Sequence, residues 1–210
     1  MKRKEVVKTI NNLRGTEGHK IVLDIYNDKK PLPRGYEVKY SDAWCATTVS
    51  AVFLLHGCED FRECSCIQMV EKAKSKGLWM EKDNYRPKIG DVVLYDWQDT
   101  GNGDNQGAPD HVGIVTKTTD TTFTVREGNF KGGIGERTML YNAKYIRGFI
   151  LPKYDRESAK QKKSNEVIAE EVMAGKWGTG EARKTALKDA GYSYSKIQRI
   201  VNQKMKGEKK

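Results

Sequence analysis

Cys45 is the residue of this sequence best suited to act as a nucleophile. It stands where a buried helix is predicted to begin, because apolar residues recur after it at helical spacing: Ala46, Val49, Val52, Phe53 and Leu55. We expect Asp42 to cap this helix and Gly57 to end it. Unpaired N–H groups and the positive end of the helix dipole in a first turn favour thiolate over thiol. The alternative is a buried thiol that only fills space.

A cysteine nucleophile needs a base, and the base needs a group that orients it. Of the three histidines, His19 and His56 fall in or beside predicted helices, whereas His111 opens a predicted strand. Glu127 and Asn129 end the next strand, where period-two alternation puts both on one face. Either side chain could accept the imidazole N–H of His111. The sequence therefore predicts a cysteine, a histidine, and an acid or amide that meet in space.

The elements that must position these groups fall into two halves of the chain. Helical periodicity predicts helices over residues 4–14, around 21–26 and over 63–76, with Ile21 and Ile67 among the residues that face the core. Strands are predicted at 92–95, 110–116, 122–127, 136–140 and 146–151. Helices followed by strands favour an α+β domain, with a mostly antiparallel sheet packed against the helices.

The 210-residue chain has room for one ordinary domain and a small appendage. Its net charge of +10 is concentrated in residues 156–210, which carry 14 Lys and Arg against 7 Asp and Glu. Such a basic tail suits nucleic acid, an anionic membrane or a polyanionic cell wall. No apolar leader region or membrane span is evident, so we expect synthesis in a bacterial cytoplasm and release by another factor.

The tail has a pattern of its own. Residues 154–164 are charged and predict a linker. Three amphipathic helices are predicted beyond it, at about 165–174, 180–190 and 193–205, with a small core of Val167, Val172, Trp177, Leu187, Tyr192, Ile197, Ile200 and Val201. A unit of about 40 residues is marginally stable alone, which favours a binding role over a catalytic one.

Metal sites are not expected. Cys58, Cys64 and Cys66 lie near His56, but their spacing matches no common zinc pattern. We expect reduced structural thiols, with a zinc site or a disulfide as the alternatives. The loop from 99 to 110 contains aspartates that could hold calcium, yet it lacks the ligand spacing of a calcium loop and is predicted to be solvated.

Four short motifs stand out in this half of the chain: residues 44–47 (WCAT), 90–93 (GDVV), 110–115 (DHVGIV) and 127–129 (EGN). Together they resemble the CHAP family, the papain-like cysteine amidases and peptidases of phage endolysins and bacterial wall remodellers. The resemblance implies a papain-like catalytic domain over residues 1–153. It also implies that Cys45 is the nucleophile, that His111 is the general base and then acid, and that Glu127 orients it.

In that resemblance Asn129 is the supporting or alternative third member. Thr47 stands where some members of the family have part of an acidic calcium site, so we expect no metal and no cofactor. The backbone N–H of Cys45, aided by Tyr40, would stabilise the oxyanion. Trp44 and Trp97 could line the substrate groove, although Trp44 could equally belong to the core.

The tail contains three further motifs: residues 171–183 (EVMAGKWGTGEAR), 190–194 (AGYSY) and 197–202 (IQRIVN). Together they resemble the three-helix wall-binding repeat of Cpl-7-type endolysins. This implies a muropeptide-binding domain over 165–206, with Trp177, Gly178 and Arg183 as candidate contacts. The alternative places Trp177 in the core and Arg183 in solvent. Since weak sites are often multiplied for avidity, a single repeat raises the hypothesis of a homo-oligomer.

The leading functional hypothesis is a phage endolysin that cleaves an amide bond of peptidoglycan, without nucleic acid as a partner. The bond would be the one between muramic acid and L-alanine, as in an N-acetylmuramoyl-L-alanine amidase, or one within the peptide stem. One alternative is an NlpC-type endopeptidase that remodels walls. The other is a non-catalytic protein that binds walls or nucleic acid through its basic tail.

Overall fold

The computed structural model describes residues 1–99, 106–155 and 163–207. The chain divides into two compact units, Met1–Asp155 and Arg156–Lys210, and each is described by itself. Residues 100–105 of the predicted solvated loop and residues 156–162 of the predicted linker lie outside the described residues. Tyr154, at the start of that predicted linker, belongs to the first unit, where its hydroxyl donates to the backbone oxygen of Gly90 at 2.6 Å.

The first unit packs helices against a six-stranded antiparallel sheet, so the predicted α+β class is confirmed. The sheet order is β1-β6-β2-β3-β4-β5. The helices are α1 (Arg3–Asn12), α2 (Glu17–Asp28), α3 (Cys45–Leu54) and α4 (Cys66–Ser75). The strands are β1 (Trp79–Met80), β2 (Val92–Tyr95), β3 (His111–Thr118), β4 (Thr122–Phe130), β5 (Gly133–Leu140) and β6 (Ile146–Ile150). Strand β1 was not predicted, because two residues are too short to show a period.

Helix α3 is the centre of this unit and contacts α1 and α2 as well as β3 and β4. Every residue from Cys45 to Phe53 is buried, whereas the prediction was a helix with one apolar face. Leu55, expected to face the core, follows the end of the helix and is 56% exposed. Two of the buried polar residues of α3 have partners: the Ser50 hydroxyl donates to the Glu63 backbone oxygen at 2.7 Å, and the Thr48 hydroxyl donates to the Trp44 backbone oxygen at 2.9 Å. The Thr47 hydroxyl is buried without a hydrogen-bond partner among the described residues.

Two other helices bury a face slightly different from the predicted one. Ile21 of α2 and Ile67 of α4 are 40% and 49% exposed. In α4 the buried residues are Cys66, Met69, Val70 and Ala73, a helical stripe that begins one residue earlier than expected. Because two apolar residues follow each other at these positions, the sequence does not determine which of them is buried. Packing in the folded unit determines it.

The second unit consists of α5 (Asn165–Met173), α6 (Gly180–Asp189) and α7 (Tyr194–Gly207), so the predicted three helices are present. Its core contains Ile168, Ala169, Val172, Leu187, Ile197 and Val201, with Trp177 and Tyr192 partly buried beside them. Val167, expected in this core, is 41% exposed. No helix within the described ranges has the length and apolar character needed to cross a membrane.

Candidate active site

Cys45 is the first residue of α3 and is only 4% exposed. The residue at the N-cap is Trp44, and its side chain makes no capping hydrogen bond. The predicted cap is wrong: the Asp42 carboxylate instead accepts hydrogen bonds from Tyr36 Oη and Lys39 N, each at 2.8 Å. The thiol therefore lies at a helix N-terminus where no carboxylate competes for the positive end of the dipole.

His111 is the first residue of β3 and lies opposite Tyr95 of β2. Its Nε2 is 3.1 Å from Glu127 Oε2, and the imidazole is nearly buried. The rings of Tyr95 and Trp97 flank it, with centroids 5.7 and 5.9 Å away. Because Nε2 faces Glu127, Nδ1 is the nitrogen that remains for proton exchange with Cys45. The partner of Nε2 thus selects the tautomer and orientation of the ring.

Glu127 lies on β4 and is fully buried. A buried carboxylate needs compensating charge, and Arg137 of β5 supplies it: Nε is 3.0 Å from Oε1 and Nη2 is 3.1 Å from Oε2. The Arg137 guanidinium also lies 4.7 Å from the centroid of the Trp97 ring. Sequence reasoning missed Arg137. The only indication in the sequence was that a buried glutamate needs a cation close to it. The β4–β5 register determines that this cation is Arg137.

Asn129, the other predicted acceptor, is exposed and does not reach His111. It adopts a left-handed conformation, with φ of 57°, where the β4–β5 register shifts between Glu127 and Phe130. A β-bulge of this kind ends period-two alternation, so Glu127 and Asn129 no longer share a face. The structure therefore brings Cys45, His111 and Glu127 together and leaves Asn129 outside.

Two glycines allow the helix and strands of the site to approach. A Cβ atom on Gly113, two residues after His111, would lie 2.7 Å from Glu127 Cγ. A Cβ atom on Gly128 would lie 1.9 Å from Thr48 Oγ1 of α3. Both distances are far inside van der Waals contact, so any larger residue would push Glu127 or β4 away from its position.

The electrostatics of the three groups favour a thiolate–imidazolium pair. A hydrogen bond from Cys66 and the interaction with His111 hold the pKa of Cys45 well below its usual value, despite burial. Burial alone lowers the pKa of His111, but hydrogen bonds with Cys45 and Glu127 outweigh it and raise this pKa to about 9. Burial raises the pKa of Glu127, while hydrogen bonds from His111 and Arg137 lower it overall. The charges thus alternate along the site, from the thiolate of Cys45 through the imidazolium of His111 and the carboxylate of Glu127 to the guanidinium of Arg137.

The predicted substrate contacts differ in exposure. The Tyr40 and Trp44 rings stack on opposite faces of His19, each with its centroid 4.1 Å from that of the histidine. Trp44 is 3% exposed and belongs to the core, whereas Tyr40 is 62% exposed. Trp97 is half-buried beside His111. Tyr40 and Trp97 therefore present ring surface to solvent, and Trp44 supports His19 from within.

All four cysteines are free thiols. Cys66 Sγ lies 3.8 Å from Cys45 Sγ, a neighbour that the sequence did not reveal. The zinc alternative finds no support: among residues 1–99, 106–155 and 163–207, no group of three or more His, Cys, Asp or Glu side chains could hold a metal ion. His56 instead bonds to Thr9 Oγ1 at 2.8 Å, and Cys64 accepts a hydrogen bond from Arg34.

In the second unit the three candidate wall contacts lie around one turn. Trp177 Nε1 donates to Glu171 Oε2 at 3.1 Å, and its ring packs edge-on against Tyr192. Arg183 Nε donates to the backbone oxygen of Gly178 at 2.9 Å, which closes the turn before α6. Trp177 and Arg183 are both half-buried, so part of each side chain remains accessible.

Comparison with known families finds two matches, one over the candidate active site and one over the turn at Gly178. Residues 35–129 match the CHAP domain, a range that contains Cys45, His111 and Glu127. Residues 166–205 match the CW_7 repeat. The chain therefore contains a CHAP domain and, C-terminal to it, a Cpl-7-type CW_7 repeat. The CHAP domain implies a peptidoglycan hydrolase, and the CW_7 repeat implies a cell-wall-binding unit. No curated protein and no solved structure gives a significant match.

The ionisation of Cys45 can be measured without a substrate. We expect the rate of its alkylation by iodoacetamide to decline, as the pH is lowered, at a lower pH than for an ordinary thiol, because its pKa is lowered well below the usual 9.0. Cys58, whose pKa burial raises, should react only at alkaline pH. Peptide mapping assigns the modified residue, and a Cys45→Ser variant should lose the fast phase. A Cys45 rate that falls as for an ordinary thiol would contradict the ion pair.

Proposed function

We propose that the protein hydrolyses an amide bond of peptidoglycan through a covalent intermediate on Cys45. The observation that carries this proposal is the buried chain of contacts from His111 Nε2 to Glu127 at 3.1 Å and from Glu127 to Arg137 at 3.0 Å, with the imidazole also interacting with Cys45. A thiolate at a helix N-terminus, paired with an oriented imidazolium, is suited to acyl transfer. The match to the CHAP domain supports peptidoglycan as the substrate class.

In this mechanism the Cys45 thiolate attacks the amide carbonyl carbon, and a tetrahedral oxyanion forms. The backbone N–H groups in the first turn of α3 stabilise that oxyanion, because no side chain caps them at Trp44. His111 then protonates the leaving amine, and the C–N bond breaks. A water molecule, deprotonated by His111, attacks the acyl-enzyme and releases the carboxylic acid and Cys45.

Glu127 acts on His111 rather than on the substrate. The Glu127 carboxylate accepts a hydrogen bond from His111 Nε2–H, which orients the ring with Nδ1 toward the Cys45 thiol. Its negative charge also stabilises the imidazolium. Arg137 prevents the buried carboxylate from taking up a proton, because ionised Glu127 retains its pair of contacts to the guanidinium. The exposed ring of Tyr40 and the half-buried ring of Trp97 are our candidates for contact with the glycopeptide.

The bond cleaved is best identified from the products of purified cell walls. An N-acetylmuramoyl-L-alanine amidase leaves muramic acid residues with a free lactyl carboxylate and no new amine within the peptide stems. An endopeptidase, including one of NlpC-type specificity, leaves new amino termini inside the stem. Mass spectrometry of the soluble fragments separates these outcomes. The absence of any cleaved amide after digestion would overturn the proposed activity, and with it the proposed role as a phage endolysin.

We propose that the CW_7 repeat holds the enzyme on its substrate by binding the muropeptide around Trp177 and Arg183. The charge of residues 156–210 supports a long-range attraction to an anionic wall. Because the turn at Gly178 is held by Arg183, an Arg183→Ala change should disturb both the contact and the turn.

Removal of residues 156–210 should weaken sedimentation with cell walls while leaving the chemistry of the first unit intact. Residues 1–155 form a compact unit with cores of their own, so the truncated protein should fold. Sedimentation measures binding, and release of soluble fragments at high enzyme concentration measures chemistry. If the truncated protein sediments with walls as completely as the full chain, the binding role of the repeat is wrong.

A further inference from the structure

Cys66 is a buried thiol that the proposed mechanism does not use. It is the first residue of α4 and is 7% exposed. Its Sγ lies 3.8 Å from Cys45 Sγ, although the two residues are 21 positions apart in the chain. Both sulfurs therefore occupy helix N-termini, where the local dipole favours the thiolate form. The other two cysteines are placed differently: Cys58 packs at the edge of the core, and Cys64 accepts a hydrogen bond from Arg34.

We propose that Cys45 and Cys66 form a site of reversible oxidation, at which a low-molecular-weight disulfide such as oxidised glutathione joins the two sulfurs in an intramolecular disulfide. The bond itself depends only on the position of the two thiols. Its consequence, a switch of wall hydrolysis, rests on the proposed function, because the disulfide would consume the nucleophile.

The reaction proceeds by two exchanges. In the first, the Cys45 thiolate attacks one sulfur of the small disulfide, a protein–glutathione mixed disulfide forms, and one glutathione thiolate leaves. In the second, the Cys66 thiol loses its proton to solvent and attacks Cys45 Sγ, and the second glutathione thiolate leaves. Two protein thiols and one small disulfide are thus converted into one protein disulfide and two small thiols. The small disulfide accepts the two electrons.

The order of these steps follows from the surroundings of the two sulfurs. Cys45 reacts first because it is the thiolate of the pair, next to the imidazolium of His111. The pKa of Cys66 is raised first of all by its hydrogen bond with Cys45 and then by burial. Once Cys45 carries glutathione, that hydrogen bond and the neighbouring negative charge are lost, so Cys66 ionises more readily. The first exchange therefore prepares the second.

The geometry requires only a small movement. The sulfurs must approach from 3.8 Å to a bond length of about 2.0 Å. Reduction by a dithiol reverses both exchanges and restores the Cys45 thiolate. The pair would therefore make hydrolysis dependent on the thiol–disulfide balance around the enzyme.

The test treats the reduced full-length protein with oxidised glutathione and measures intact mass, cross-linked peptides and wall clearing. We expect the wild type to lose two hydrogen atoms, to give a peptide that links Cys45 to Cys66, and to lose clearing until dithiothreitol restores it. The Cys66→Ser variant should instead retain one glutathionyl group on Cys45, because nothing resolves the mixed disulfide. Cys64→Ser, which removes a thiol from the same segment of the chain, should behave as the wild type.

Wild-type protein that keeps glutathione on Cys45 without a cross-link, or that links a different pair, would overturn this proposal. The peptide map of the wild type decides this even if Cys66→Ser does not fold. The two proposals also fail in different ways: reduced protein that cleaves no amide refutes the proposed function, whereas the mass and cross-link data still test the Cys45–Cys66 disulfide.

Discussion

Replacement of Cys45 by alanine should reduce the rate of wall clearing by at least ~10³-fold, because removal of a covalent nucleophile leaves only binding and the oxyanion donors. Alanine also removes the interactions of the Cys45 thiolate with His111 and Cys66 and a small buried volume in the core around α3. Clearing is measured as the turbidity of a wall suspension, and sedimentation shows that binding to walls persists. A thermal melt confirms that the variant is folded.

Cys58→Ala is the matched control for this substitution. It also removes a partly buried thiol that packs against the same core, but it lies outside the site. We therefore expect full clearing from Cys58→Ala and none above background from Cys45→Ala. Wall clearing by the Cys45→Ala protein would show that the nucleophile is assigned to the wrong residue, whatever the folded state of either variant.

Glu127→Gln should lower the rate of hydrolysis by ~10²–10⁴-fold and shift its pH dependence. In the wild type the ion pair is intact while His111 is protonated, so activity should fall as the pH rises through about 9. Glutamine preserves the shape of Glu127 but removes the negative charge that raises the pKa of His111. The alkaline decline in the rate should therefore move to lower pH in the variant. Rate profiles over pH, with turbidity as the readout, measure both effects.

A suitable control for Glu127→Gln lies on the neighbouring strand. Glu136 of β5 is 54% exposed and pairs with Arg126 at 3.2 Å, so Glu136→Gln removes one carboxylate charge from the same sheet without touching His111. It should leave both the rate and the pH profile nearly unchanged, because a surface ion pair contributes little. Suppose that Glu127→Gln lowers the rate but the alkaline decline in activity begins at the same pH as in the wild type. Glu127 would then only support the fold.

Arg137 explains how Glu127 can stay ionised although it is buried. Glu127 has no exposure to solvent, and an isolated buried carboxylate would take up a proton and lose its hold on an imidazolium. The guanidinium makes contacts to both carboxylate oxygens, at 3.0 and 3.1 Å, and keeps the group ionised. The proposed orienting residue thus depends on a third strand, β5, which lies entirely C-terminal to the part matched to the CHAP domain.

Much of the local structure was readable from the chain. Helical spacing located the helices, and short runs rich in apolar residues located the five longer strands. The errors concern details that no repeat encodes. The buried stripe of α4 begins at Cys66 rather than Ile67, and Asp42 bonds to its own loop instead of capping α3.

The sequence by itself determined the kinds of elements, their order, and the resemblance that singles out Cys45, His111 and Glu127. Only the tertiary structure decided which side chains meet. A bulge after Glu127 turns Asn129 away, the register of β5 brings Arg137 to Glu127, and the fold brings the N-terminal residues of α3 and α4 together, so that Cys66 lies beside Cys45. Strand register and helix packing depend on contacts between segments that are far apart in the sequence. These contacts impose no repeating pattern on the residues of the chain.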